Sequence, residues 1–109
     1  MQFLFLINSD PDAEVFDPVT GDPEHWLRTA TEDGSRLSGG RCAPADETTT
    51  VRIRNGCLET GAGATGTDRD DIGGFDLITA NDIEQAIDIA ARHPMSRYGR
   101  IELRPITPM

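Results

Sequence analysis

The densest chemically suggestive spacing in this sequence is GAGATGTDRD, residues 61–70. Gly61, Gly63 and Gly66 satisfy G-x-G-x-x-G, a spelling that lets backbone approach a pyrophosphate when a strand precedes it and a helix opens at it. A strand over Cys57–Thr60 supplies the first condition. The second fails, because only Thr67–Gly73 separate the loop from the next strand. A crossover needs about a dozen residues with an apolar face, and this segment offers Ile72 among three aspartates. Thr67-Asp68 also stands where a Walker loop requires Lys-Ser/Thr. Asp68, Asp70 and Asp71 have the alternation of calcium ligands, but position twelve of such a loop is Thr79 rather than a bidentate glutamate. The stretch reads as a solvated connection between two strands, and neither a metal nor a cofactor is expected.

Two histidines carry the remaining acid–base potential. His25 lies in Pro23-Glu24-His25-Trp26-Leu27, at a helix start, where the dipole favours a neutral ring able to serve as base or hydrogen-bond donor. The plainer alternative is a surface histidine beside a core tryptophan. His93 precedes Pro94 at a helix end, where a cation complements the dipole; a proton-carrier role is the less favoured alternative. Neither Cys42 nor Cys57 has a histidine neighbour in sequence, there is no CxxC, and no GxSxG occurs.

A third constellation is charged. Arg52, Glu102 and Arg104 alternate with Val51, Ile53, Ile101 and Leu103 along two strands. If the apolar residues meet the helices, the charges face the other way, and Asp76 joins them from its own strand. Two arginines can grip a small anionic ligand through bidentate hydrogen bonds. The competing reading is a cross-strand ion-pair network that fixes register and subunit pairing.

The elements that must position these groups follow from periodicity. Residues 3–7 are a continuous apolar run, as in a central strand buried on both faces. A loop over 8–21 leads to a helix capped by Asp22, with Pro23 at its first position, Trp26, Leu27 and Ala30 as its apolar stripe, and Gly34 at its end. Ser35–Arg41 forms a strand anchored by Leu37. Thr50–Arg54 and Cys57–Thr60 flank Asn55-Gly56, a type I′ hairpin signal. Gly74–Ala80 is a strand. A second helix follows, capped by Asn81 with Glu84 completing a capping box, and Ile83, Ala86, Ile87 and Ala90 make its apolar face. Pro94 stops it, Ser96–Gly99 turns the chain, and Arg100–Arg104 is the last strand. The order β, α, β, hairpin, β, α, β predicts a single α+β domain over 1–109, an antiparallel sheet with both helices on one face, like the split βαβ of ferredoxin-like folds.

Composition narrows the function. The chain has 109 residues and a net charge of −9, so nucleic acid is an unexpected partner. The apolar N-terminal run is far short of a membrane span and lacks the flanks of an export signal. A cytoplasmic protein with reduced thiols is expected.

Thr50-Val51-Arg52, Asn55-Gly56, Gly73-Gly74-Phe75, Ala86, Ala90-Ala91-Arg92-His93-Pro94, Gly99 and Glu102-Leu103-Arg104-Pro105 stand in an order that resembles the YCII-related family, in its DGPF-domain branch. The likeness runs from about residue 34 to 106, and Phe3–Ile7 resembles that family's first strand. The resemblance implies a ferredoxin-like fold paired into a dimeric α/β barrel, a homodimer of largely unassigned activity, and an association with extracytoplasmic-function sigma factors. In such a barrel the face bearing Arg52, Asp76, Glu102 and Arg104 lines a cavity or the interface. Pro-x-His at the first helix resembles the start of that helix in YciI-like relatives, which implies a His/Asp site role for His25. The signature Asp-Gly-Pro-Phe falls on Ala62-Gly63-Ala64-Thr65, so only its glycine is kept. The loss of that aspartate favours a binding or interaction module with a polar pocket and weakened or absent catalysis. An enzyme acting on a small anionic substrate, with His25 as acid–base group and Arg52 or Arg104 as anchor, is the alternative. Regulation of a sigma factor is a third.

Overall fold

The computed structural model describes residues 1–62 and 72–108. The glycine loop from Gly63 and its three aspartates lie outside them, together with most of the degenerate DGPF stretch. In chain order the elements are β1 (Gln2–Asn8), α1 (Glu24–Glu32), β2 (Arg36–Arg41), β3 (Thr49–Arg54), β4 (Cys57–Ala62), β5 (Ile72–Thr79), α2 (Ile83–Ala91), α3 (Met95–Tyr98) and β6 (Arg100–Pro105). A four-stranded sheet has the order β2-β5-β1-β6, and β3-β4 form a separate two-stranded ribbon. All sheet neighbours are antiparallel. Leaving out the ribbon and the short α3, the path is β-α-β-β-α-β, the ferredoxin-like arrangement.

β1 occupies the middle because its alternation supplies the core. Phe3 and Phe5 are fully buried and Ile7 nearly so, packed with Ile78 and Ala80 against Trp26 and Ala30 of α1 and Ala86, Ile89 and Ala90 of α2. Both main helices therefore lie on one face of the sheet. Leu4 and Leu6 point the other way and remain half-buried, so β1 is covered on one face, not on both.

Local chemistry explains the boundaries. Pro23, not Asp22, is the N-cap of α1 and brings no side-chain cap, and Asp22 Oδ1 accepts the Glu24 N–H at 3.0 Å just ahead of the helix. The α2 cap falls one residue later than the sequence suggests. Asp82 accepts from Gln85 N at 2.8 Å, and Gln85 Oε1 accepts from Asn81 N at 2.6 Å. Asp82/Gln85 and Asn81/Glu84 are the same motif in adjacent registers, and the first prevails. The apolar stripe shifts too. Ile83 and Ile87 are exposed, and the buried row is Ala86, Ile89, Ala90 and His93, again at i, i+3, i+4 and i+7. Residues 95–98 form a short helix rather than a simple turn. In the ribbon, Asn55 and Gly56 take φ of 52° and 76°, as a type I′ turn requires.

Two expectations about strand faces are corrected. Leu37 does not anchor β2: it is half exposed and sits at a register irregularity between Arg36 and Ser38. Asp76 does not share the outer face with Glu102 and Arg104. It lies directly opposite Phe5, and opposed antiparallel residues project to the same side. Glu102 and Arg104 lie opposite Leu6 and Leu4, on the open face. Arg52 belongs to neither group, because its strand is in the ribbon, where it pairs with Glu59 at 2.6 Å.

Candidate functional site

The helix layer carries a cleft where α1 meets the C-terminal half of α2. One lobe, of ≈ 340 Å³, is lined by His25, Trp26 and Thr29 among others. An adjoining lobe of ≈ 330 Å³ reaches Asn81 and Gln85. Asp33, Ser35, Ile89 and Arg92 line both lobes. Trp26 sits at the root of the cleft. Its ring is buried, and its Nε1 donates to the Ile89 carbonyl at 2.9 Å, which ties α1 to α2.

His25 is exposed in this cleft, with Arg28 Nη2 at 3.4 Å from its Nδ1. A guanidinium can only donate, so this contact is a hydrogen bond in the tautomer that carries the ring proton on Nε2. No carboxylate pairs with His25 among the described residues. Across the cleft, Arg92 is anchored by its own helix: Nη2 meets Asp88 Oδ2 at 3.0 Å, and Nε donates to the Asp88 carbonyl at 3.3 Å. Asp33 completes the polar wall. The Ser35 hydroxyl and backbone N–H both donate to it, at 2.5 and 2.9 Å. These bonds, hydroxyl first, hold its carboxyl below the usual range, with the Arg92 charge adding to them.

His93 lies behind the tryptophan rather than in the cleft. It is buried, and its ring meets Trp26 edge-on at 4.5 Å. Nδ1 accepts the Met95 N–H at 2.9 Å, which starts α3. Burial lowers its pKa to about 4, so it is neutral at pH 7. The expectation of a cation complementing the α2 dipole is corrected: the buried row of α2 includes this ring, and only the neutral form tolerates that site.

Asp76 is the second buried ionisable group. Arg36 Nε donates to its Oδ1 at 2.7 Å, with side chains 20% and 6% exposed. Burial raises the Asp76 pKa, and the Arg36 hydrogen bond and charge oppose that rise. Gly39, its cross-strand neighbour, makes the pair possible. A Cβ there would collide with Asp76 Oδ1, with Arg36 Nη2 and with the Phe75 carbonyl. On the open face, Glu102 stands between Arg100 and Arg104 at 3.8 and 3.7 Å, a loose and solvated arrangement.

The four charged residues singled out by alternation therefore occupy three places: Asp76 under the helices, Arg52 on the ribbon, and Glu102 with Arg104 on the open face. His25 alone reaches the cleft. The cleft's cation is Arg92, which the sequence analysis does not single out; its place seven residues after Gln85, another cleft-lining residue, is the available signal. Cys42 and Cys57 are free and exposed. Among the described residues no group of three or more His, Cys, Asp or Glu is placed to hold a metal ion. No described helix is long and apolar enough to cross a membrane.

Topology and the one-sided helix layer define a small α+β protein of ferredoxin-like type. The chain belongs to the YCII-related domain family, whose pattern matches residues 1–109. Among solved structures it is similar to 5-chloro-2-hydroxyhydroquinone dehydrochlorinase from Burkholderia phenoliruptrix AC1100, in complex with 2,5-dihydroxybenzoquinone. That likeness has a TM-score of 0.51 at 15% identity and covers 98% of this chain and 94% of the other. No curated protein matches the sequence.

Proposed function

We propose that the protein is a homodimeric small-molecule binding module whose ligand lies in the cleft between α1 and α2. The observation that carries this reading is that His25 and Arg92 line one cleft of ≈ 340 Å³, a volume within the range of small-molecule sites. His25 offers an Nε2–H donor and Arg92 an exposed guanidinium, a pair suited to a small ligand with a carboxylate or phenolate oxygen. Catalysis is the weaker part of the site, since no described carboxylate orients His25 as a general base requires. The homodimer rests on the open sheet face. Leu4, Leu6 and Leu77 are only half covered there, and Phe75 is 40% exposed. A second copy covering this face would give the paired-sheet barrel that the family resemblance implies.

The alternative reading is an enzyme of dimeric-barrel type acting on a small anionic substrate, with His25 as the acid–base group. The dehydrochlorinase with a quinone bound, on a similar fold, favours it. One titration series tests both. Carboxylates and hydroxyquinones are screened by thermal shift, since a ligand of the folded state raises its melting temperature. The binding reading expects a shift that His25→Leu and Arg92→Gln each abolish, with no ligand turnover. Equal shifts in wild type and both variants overturn the cleft assignment. Turnover lost on His25→Gln moves the conclusion to the enzyme.

A further inference from the structure

The ribbon β3–β4 is the least explained part of the molecule. Its pairing places Val51 opposite Thr60 and Ile53 opposite Leu58, so these side chains share one face. Val51, Ile53 and Leu58 are 64%, 65% and 67% exposed. The other face holds Arg52 and Glu59, already paired with each other. An amphipathic two-stranded ribbon with its apolar side uncovered is marginally stable in water, yet the I′ turn and alternating pattern here specify one. Its apolar stripe is built to be covered.

We infer that each ribbon is an arm that lays Val51, Ile53 and Leu58 on a second copy of this chain, bordering the open sheet face. This rests on the homodimer reading and adds to it the part of the interface that makes the dimer stable. Area argues for that occupant. Four strands spaced about 4.8 Å apart and about 20 Å long present a footprint of roughly 400 Å² per open face. A ribbon of two such strands adds roughly 200 Å². In a two-fold dimer each copy gives one ribbon and receives another, which doubles that footprint on each side. Charge agrees in sign: two arginines and one glutamate give the ribbon a net +1 in a chain of −9. In chain order the ribbon is inserted between edge strand β2 and its sheet neighbour β5.

Sedimentation equilibrium of wild type and the Ile53→Asp/Leu58→Asp variant tests the arm. The substituted side chains are exposed in the single chain, so the variant should fold. Dimerisation is expected to weaken by roughly a hundredfold or more, because two buried apolar side chains are lost from each of two arms. Hydrogen exchange on unmodified protein gives an independent reading: ribbon amides should be protected at dimer-forming concentration and exchange rapidly after dilution. A wild type that is monomeric at tens of micromolar overturns the homodimer reading, and the arm with it. A wild-type dimer whose affinity is unchanged by the double substitution, or whose ribbon amides are unprotected, overturns the arm alone.

Discussion

His25 and His93 flank the same tryptophan and have opposite fates. His25 stands in an open cleft beside Arg28. His93 is buried edge-on against the Trp26 ring and held neutral. The two arginine–carboxylate pairs repeat the contrast. Arg36–Asp76 and Arg52–Glu59 have nearly equal N–O distances, 2.7 and 2.6 Å, but the first is largely buried and the second about half exposed. Residue type is alike within each couple, and burial decides the role. Under the helices these groups maintain the fold. Outside, they are free to meet ligand, partner or water.

The largest test of that division is Trp26→Ala, which removes the ring against which His93 packs and its bond to the Ile89 carbonyl. A loss of about 3–5 kcal/mol is expected from a buried tryptophan truncation, read by urea unfolding. Next is Arg36→Met. It leaves the Asp76 carboxylate buried without its partner, and about 3 kcal/mol should be lost. The double variant Arg36→Met/Asp76→Leu should recover most of it, because the uncompensated charge is gone. A single variant as stable as wild type would show that the pair is solvated after all.

Acid should separate the histidines. The His93 pKa falls from 6.5 in the unfolded chain to about 4 in the fold, so the unfolded state binds more protons between those values. Its contribution is complete above pH 6.5 and is lost as pH falls towards 4, by up to about 3 kcal/mol. Asp76 acts in the opposite sense: burial raises its pKa, so acidification favours the folded form at that site. His93→Asn keeps an acceptor for the Met95 N–H and should flatten the loss between pH 6.5 and 4.5 in denaturant titrations. An unchanged slope would assign the acid sensitivity elsewhere.

Legibility in the sequence follows the same boundary. Elements whose signals are local were readable: the apolar run of β1, the Asn-Gly turn, the two main helices and hence the ferredoxin-like order. Asp76 was misread because alternation counts a carboxylate as outward. Only the partner arriving from β2 and the missing side chain of Gly39 make it an inward residue, and both lie some forty residues away in sequence. The α2 stripe was misread because Ala86 and Ala90 belong to two overlapping rows, and the second is completed by a histidine that hydrophobic counting omits. That His25 and Arg92 line one cleft depends on how two helices cross, which no single window encodes.

The exposed members give the smallest stability effects. Arg52→Gln should cost under about 1 kcal/mol, since a half-exposed pair gains little over its hydrated parts. His25→Leu should change unfolding free energy by no more than about 0.5 kcal/mol, because nothing buried depends on the ring. The same substitution should nevertheless remove the ligand-induced thermal shift, since leucine supplies no donor in place of Nε2. His25→Gln, which keeps an N–H donor and loses the imidazole, should retain part of the shift if the site only binds. A His25→Leu variant that unfolds several kcal/mol more easily would mean this ring, like His93, is a structural part of the helix layer, and the contrast between the two would fail.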